Sequence, residues 1–213
     1  MARAIINDVR RLQRSPVRRE ISSRLKEFRA FKDKGPDEWF SELCFCILTA
    51  NSKAATAMRI QAELGAKGFL DCGCSQLSKT IRRNRHRFHN NKAKYIVEAR
   101  RHSCIKETVL GLVRSGGEAC ARAWLARNVM GLGYKEASHF MRNVGYATLA
   151  VIDRHILSLL LEGNYISEKP RSMTPRKYLE LEAVFQGLAD KLNMSPAELD
   201  LYMWFMKTGK VLK

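Results

Sequence analysis

Lys135 and Asp153 are the residues around which chemistry can be built, one an amine and the other a carboxylate eighteen positions further on. Lys135 closes the run Met130-Gly131-Leu132-Gly133-Tyr134-Lys135. This run reads as a helix ending at Met130, a glycine-cornered turn, and a helix restarting at Lys135. Glycines at 131 and 133 permit backbone dihedrals that a Cβ resists. They also leave the turn's amides unshielded at the positive end of the second helix, an arrangement that suits a phosphate. A lysine there sits where the helix dipole disfavours a cation. It is either a solvated, phosphate-contacting side chain or an amine driven towards its neutral, nucleophilic form by dipole, basic neighbours and desolvation. Asp153, in Ile152-Asp153-Arg154-His155-Ile156, falls where the next helix starts. An aspartate there is an ordinary N-cap, and capping is compatible with stabilising a developing positive charge.

Apolar residues recur at helical spacing and period-2 alternation is nearly absent, which predicts an all-α protein. Pro16 interrupts a basic N-terminal segment, with a helix expected from about 17 to 31. Gly35-Pro36-Asp37 starts another, since proline suits a first helical turn. Its apolar residues, from Trp39 to Leu48, point to nearly every side, marking a central core helix. Further helices are expected near 53–64, 75–84, 90–102, 117–130, 135–145, 153–162, 175–192 and 196–208. Thr174-Pro175 and Ser195-Pro196-Ala197-Glu198 read as cap, proline and first turn, the second with the spacing of a capping box.

The chain of 213 residues carries 38 Lys+Arg against 21 Asp+Glu, a net charge of +17. Such a surface attracts polyanions, and nucleic acid is favoured over an acidic membrane surface. No apolar run is long enough for a membrane span and no export signal is recognisable, so the expected location is cytoplasmic and nucleoid-associated, not secreted. The stretch Arg82–Lys94 holds six Lys/Arg, two His and no acid, and brackets Phe88. It is either a solvated face or a nucleic-acid surface with an aromatic stacking platform. Of six cysteines, Cys44 and Cys46 lie in the apolar helix and read as small hydrophobes. The one-residue spacing of Cys72-Gly73-Cys74 is too short for an ordinary zinc knuckle, leaving reduced thiols favoured over a redox or metal role.

The hairpin followed by the Ile-Asp-Arg-His-Ile segment resembles the helix-hairpin-helix DNA glycosylase superfamily. A lysine at the hairpin's end marks the members that also cut the strand. The run GLGYKEASHFMRNVGYATLAVIDRHIL is similar to the type-2 8-oxoguanine DNA glycosylase/lyases. So are ILTANSKAA (47–55), RFHNNKAKYI (87–96) and YMWFMKTGKVLK (202–213), so the likeness touches most of the chain from about residue 39. Gly131 stands where the wider superfamily has proline, which suits the type-2 branch.

The resemblance implies a two-lobed helical fold with the active-site cleft between lobes. The whole chain, 1–213, would form one such unit, with the hairpin at about 117–146 and a second lobe made by the N- and C-terminal helices. It implies that Lys135 attacks C1′ of the damaged nucleotide, forming an imine that undergoes β-elimination, while Asp153 stabilises charge on the sugar. Phe88 and Trp204 would grip the extruded base, although Trp204 in its apolar run would otherwise read as core. The carboxylate of Lys213 would help to read the base. Asn51 would fill the gap in the duplex, and Gly131, Leu132, Gly133 and Arg154 would hold the DNA backbone. The implied partner is double-stranded DNA containing oxidised guanine, bound by a monomer. No metal or organic cofactor is required, and a cation between the Gly131 and Gly133 carbonyls would be a structural contact only. Two rivals stay open: a helix-hairpin-helix glycosylase for another lesion, and a non-enzymatic DNA-binding protein using the hairpin as a phosphate clamp.

Overall fold

A computed structural model describes residues 3–213 of the chain. Every regular element among them is helical: α1 Arg3–Gln13, α2 Val17–Ala30, α3 Pro36–Thr49, α4 Ala54–Asp71, α5 Cys74–Arg83, α6 His89–Ala99, α7 Ile105–Asn128, α8 Tyr134–Asn143, α9 Arg154–Glu162, α10 Pro175–Lys191 and α11 Pro196–Thr208, with short 3-10 turns at Phe31–Asp33 and Arg100–His102. The chain divides into two compact units. One takes the residues up to Phe31 together with Gly145–Lys213, and the other takes Lys32–Val144.

The Lys32–Val144 unit is organised around α3. Gly35 caps it, Pro36 opens it, and the eleven residues from Trp39 to Thr49 are all buried. A helix that is apolar on every side needs partners all round, and α4, α6, α7 and α8 supply them. Trp39 meets Phe140 of α8 edge to face, with ring centroids 6.0 Å apart. Burying such side chains contributes roughly 1.5–3 kcal/mol each. One acid is buried among them. Glu42 accepts from Asn143 Nδ2 at 2.7 Å and from Gln61 Nε2 at 3.1 Å, tying α3 to α4 and to the end of α8. These bonds fix the helix whose first turn carries Lys135.

Both of the longer helices are broken at a glycine of positive φ, Gly65 in α4 and Gly117 in α7. The helical spacing anticipated the segments 53–64 and 117–130. It missed the helical stretches on the other side of each glycine, because a glycine reads as a boundary.

In the other unit α1, α2, α9 and α10 pack on α11. Thr174 and Ser195 cap α10 and α11 by accepting from Lys177 N and Glu198 N, each at 3.2 Å. The expected capping box at α11 forms only this half among the described residues. Tyr178 is buried, and its hydroxyl donates to Ala150 O at 2.7 Å and accepts from Ile152 N at 3.1 Å. The segment leading to Asp153 is thereby held in place. No described helix is long and apolar enough to cross a membrane.

Candidate active site

The hairpin is built from three residues with distinct duties. Leaving α7, Val129 is extended, and Leu132 N donates back to Val129 O at 3.2 Å to close the turn. Gly131 has φ +87, and a Cβ there would lie 2.6 Å from Tyr95 Cδ2. Glycine is therefore required both for its dihedral and for the close approach of α6. Gly133 is different. Its φ of −96 and ψ of −172 are open to any residue, so the expectation of special backbone freedom holds at Gly131 alone. Gly133 caps α8 without a side chain, and Glu136, three residues on, accepts from its amide at 3.2 Å. Leu132 buries its side chain, leaving only its backbone at the surface of the turn. The amides of Leu132 and Gly133 are thus engaged within the hairpin rather than unshielded as the sequence suggested. The Gly133 carbonyl accepts from Ala137 N at 2.9 Å, starting α8.

Lys135 lies in the first turn of α8, with Nζ 2.9 Å from Glu136 Oε1. Burial raises the Glu136 carboxyl's pKa. The adjacent Lys135 charge and hydrogen bonds from Lys135, from its own amide and from Gly133 outweigh that, holding the carboxyl below its ordinary value. A third charge joins this pair. Lys92 on α6 is buried, and its Nζ donates to Ile47 O at 2.6 Å, 5.8 Å from the Tyr95 ring centroid. Burial pushes its ammonium down to about 8, with Glu136 opposing and Lys135 reinforcing the shift.

The basic run from Arg82 to Lys94 is not a uniform face. Arg82, Arg83, Arg85, Arg87 and Lys94 are exposed, whereas His86 and Lys92 turn inward to the last carbonyls of α3. Phe88 remains 37% exposed at the start of α6, with Arg87 Cζ 4.7 Å from its ring centroid. Asn51 is exposed just past the end of α3, in the left-handed region at φ +59. Asparagine tolerates that region better than most residues.

Asp153 belongs to the other unit and caps α9. Its Oδ1 accepts from His155 N at 2.8 Å and Ile156 N at 2.9 Å, so capping occupies one carboxylate oxygen of the two. Arg154, the next residue, is exposed. His155 meets Trp204 of α11 edge to face at 5.0 Å. Tyr202 and Met203 fill the core, but Trp204 is partly exposed, and its shielded Nε1–H meets no acceptor among the described residues. Trp204 therefore departs from the simple core reading. Gly209, at φ +66, ends α11 and turns the chain towards a partly buried Lys213. Cys44 and Cys46 are buried, and among the described residues no disulfide joins any of the six cysteines and no trio of metal-ligating side chains gathers.

The sequence-predicted residues thus fall into two groups. Lys135, Asn51, Phe88 and the hairpin lie in the unit built on α3. Asp153, Arg154, Trp204 and Lys213 lie in the unit built on α11. Glu136, Lys92 and His86 were not anticipated. An acid three residues after a helix cap was a readable signal for Glu136, while Lys92 and His86 were hidden in a run whose charge suggested solvent.

Residues 21–194 match the family model described as 8-oxoguanine DNA glycosylase. The chain is 47% identical over 209 residues to the 8-oxoguanine DNA glycosylase/AP lyase of Methanocaldococcus jannaschii, covering 98% of this chain and 99% of that protein. It superimposes with a TM-score of 0.94 on the crystal structure of that organism's 8-oxoguanine glycosylase/lyase in complex with a 15mer DNA containing 8-oxoguanine, covering 98% of this chain and 99% of that one at 47% identity. It also matches the 8-oxoguanine DNA glycosylase of Thermotoga maritima with a TM-score of 0.93 at 33% identity, over the full length of both chains. Its all-helical architecture, its hairpin and the extent of these matches place the chain in the 8-oxoguanine DNA glycosylase family of helix-hairpin-helix proteins.

Proposed function

We propose that this protein excises 8-oxoguanine from double-stranded DNA and then nicks the strand by β-elimination. The observation that carries this reading is a lysine in the first turn after the hairpin, Lys135, in a chain so nearly coextensive with a glycosylase/AP lyase. The neutral Nζ attacks C1′ of the damaged nucleotide, the C1′–N9 bond breaks, and the base departs with a proton. Opening of the sugar ring gives an imine between Nζ and C1′. Loss of a C2′ proton then expels the 3′ phosphate, leaving the strand nicked and the lysine to be freed by water. Amine attack followed by elimination divides one difficult step into easier ones.

The reacting carbon is inaccessible in a stacked duplex, so the nucleotide is extruded at a cost of a few kcal/mol. Asn51 fills the gap it leaves. Phe88 and Trp204 present aromatic faces to the purine, and a main-chain oxygen of Lys213 accepts from the N7 hydrogen that distinguishes the oxidised base. Guanine would leave that acceptor unpaired, a penalty of roughly 1–3 kcal/mol. The second oxygen of Asp153 stabilises the positive charge that develops on the sugar. Gly131, Gly133 and the backbone of Leu132 meet the DNA backbone with Arg154, and the +17 charge draws the polyanion in. The protein acts as a monomer inside the cell, with no cofactor.

The test is incision of a duplex carrying one 8-oxoguanine, run beside the same duplex with guanine. Strand cleavage at the lesion alone, without added alkali, supports the reading. Salt-sensitive binding that leaves both duplexes intact would instead favour a DNA clamp.

A further inference from the structure

We propose that His86 is a positioning residue for lesion recognition, setting the Phe88 ring against the end of α3. This rests on the reading of Phe88 as a stacking platform for the extruded base. His86 is reached through a sharp turn. Arg85, beyond the end of α5, adopts φ +61, its amide donates to Arg82 O at 2.8 Å, and His86 N donates to Ile81 O at 3.3 Å. This is the Schellman ending, with arginine in the left-handed place that glycine usually takes. It turns the imidazole inward, where only 2% of the residue is exposed.

Both ring nitrogens are then committed. Nε2 lies 2.9 Å from Leu48 O, which can only accept, so Nε2 carries the hydrogen. The backbone N–H of Phe88 donates to Nδ1 at 3.2 Å, so Nδ1 must hold a lone pair. The two bonds coexist only in the neutral, Nε2-protonated tautomer. The ring also meets Phe88 edge to face, with centroids 6.4 Å apart. One imidazole thus joins the backbone that carries the exposed aromatic to the last turn of α3, three residues before Asn51. The Phe88 carbonyl accepts from Lys92 N at 3.0 Å as α6 begins, but its ring is among the most exposed large apolar side chains of the described residues.

Protonation at Nδ1 would remove the acceptor and set two N–H groups face to face. Burial opposes it, and although the Leu48 carbonyl favours the charged ring, Lys92 and His89 on α6 and the neighbouring Arg87 add positive charge against it. His86 is held below the ordinary histidine value, which favours the neutral ring that accepts from Phe88.

The experiment compares two reactions of the full chain under single-turnover conditions: excision from an 8-oxoguanine duplex, and nicking of a preformed abasic site, which has no base to stack. His86→Phe keeps a planar aromatic ring, somewhat larger than imidazole, and loses both bonds, whereas His86→Gln restores a donor and an acceptor. The expected result is a fall of roughly tenfold or more in lesion excision by His86→Phe, abasic nicking within about threefold of the parent, and substantial recovery in His86→Gln. In the unaltered protein, the ratio of lesion excision to abasic nicking should fall on acidification below the ordinary histidine range, which tests the proposal even if a variant fails to fold. Equal loss of both activities, no loss of either, or a pH-independent ratio in the parent would overturn it. A parent that nicks neither substrate contradicts the proposed function itself, a separate failure.

Discussion

The Lys135 amine and the Glu136 carboxylate stand 2.9 Å apart at the first turn of α8, and the other oxygen of the same carboxylate holds the Gly133 amide at 3.2 Å. One acid thus fastens both the hairpin and the proposed nucleophile. Glu136→Ala should lower stability by about 1 kcal/mol through loss of this cap, while Glu136→Gln keeps an acceptor for Gly133 and loses less. Because the folded protein holds the Glu136 carboxyl below its ordinary value, its contribution is full above the unfolded carboxylate range and is lost as pH falls through the folded value. Thermal melts of parent and Glu136→Gln should therefore converge on acidification.

The two hairpin glycines should respond differently to alanine. At Gly131 a Cβ meets Tyr95 and the φ is +87, so Gly131→Ala should destabilise by about 2 kcal/mol or more. At Gly133 the backbone is extended and the nearest atom to a new Cβ is Glu136 Oε2 at 3.3 Å, so Gly133→Ala should cost less than about 1 kcal/mol. Denaturant unfolding of the pair measures the difference.

Asp153 carries a structural duty and a proposed chemical one, and two substitutions separate them. Asp153→Ala removes both bonds to the start of α9 and should cost about 1 kcal/mol of stability. Asp153→Asn keeps an oxygen acceptor and removes the charge. It should melt close to the parent yet lose lesion excision by at least roughly a hundredfold, in line with losing an electrostatic contact made to the transition state. Near-parental excision by Asp153→Asn would assign Asp153 to capping alone.

Buried Lys92 predicts an alkaline signature. Its folded value of about 8 lies below the unfolded lysine value, so the unfolded chain binds more protons between them. Its burden on stability is therefore full below about pH 8 and is relieved as pH rises towards the ordinary lysine range. Lys92→Met, which keeps the apolar stem, should lack this rise, and the parent's stability relative to the variant should increase across that window.

Much of the architecture was legible because helical spacing and caps are local signals. Pro36, Thr174-Pro175 and Ser195-Pro196 opened helices where expected, and the uninterrupted apolar run of α3 announced a core helix. Gly65 and Gly117 misled because positive-φ kinks inside long helices look like ends. Lys135 in the first turn of α8 and Asp153 at the cap of α9 stand where the motif spacing placed them along the helices. His86 and Lys92 were not legible, since their burial depends on two carbonyls at the end of α3, some forty residues away in sequence. No local pattern distinguishes a histidine that caps a distant helix from one that faces solvent.

The proposed reaction passes through a covalent imine on Lys135, which borohydride reduces to a stable protein–DNA link. The parent and Lys135→Gln are incubated with an 8-oxoguanine duplex, with an undamaged duplex in parallel, and reduced in place. The expected result is a protein–DNA adduct from the parent on the lesion duplex, little on the undamaged one, and none from Lys135→Gln. An adduct that persists in Lys135→Gln, or a parent that binds the lesion duplex without forming one, would contradict it.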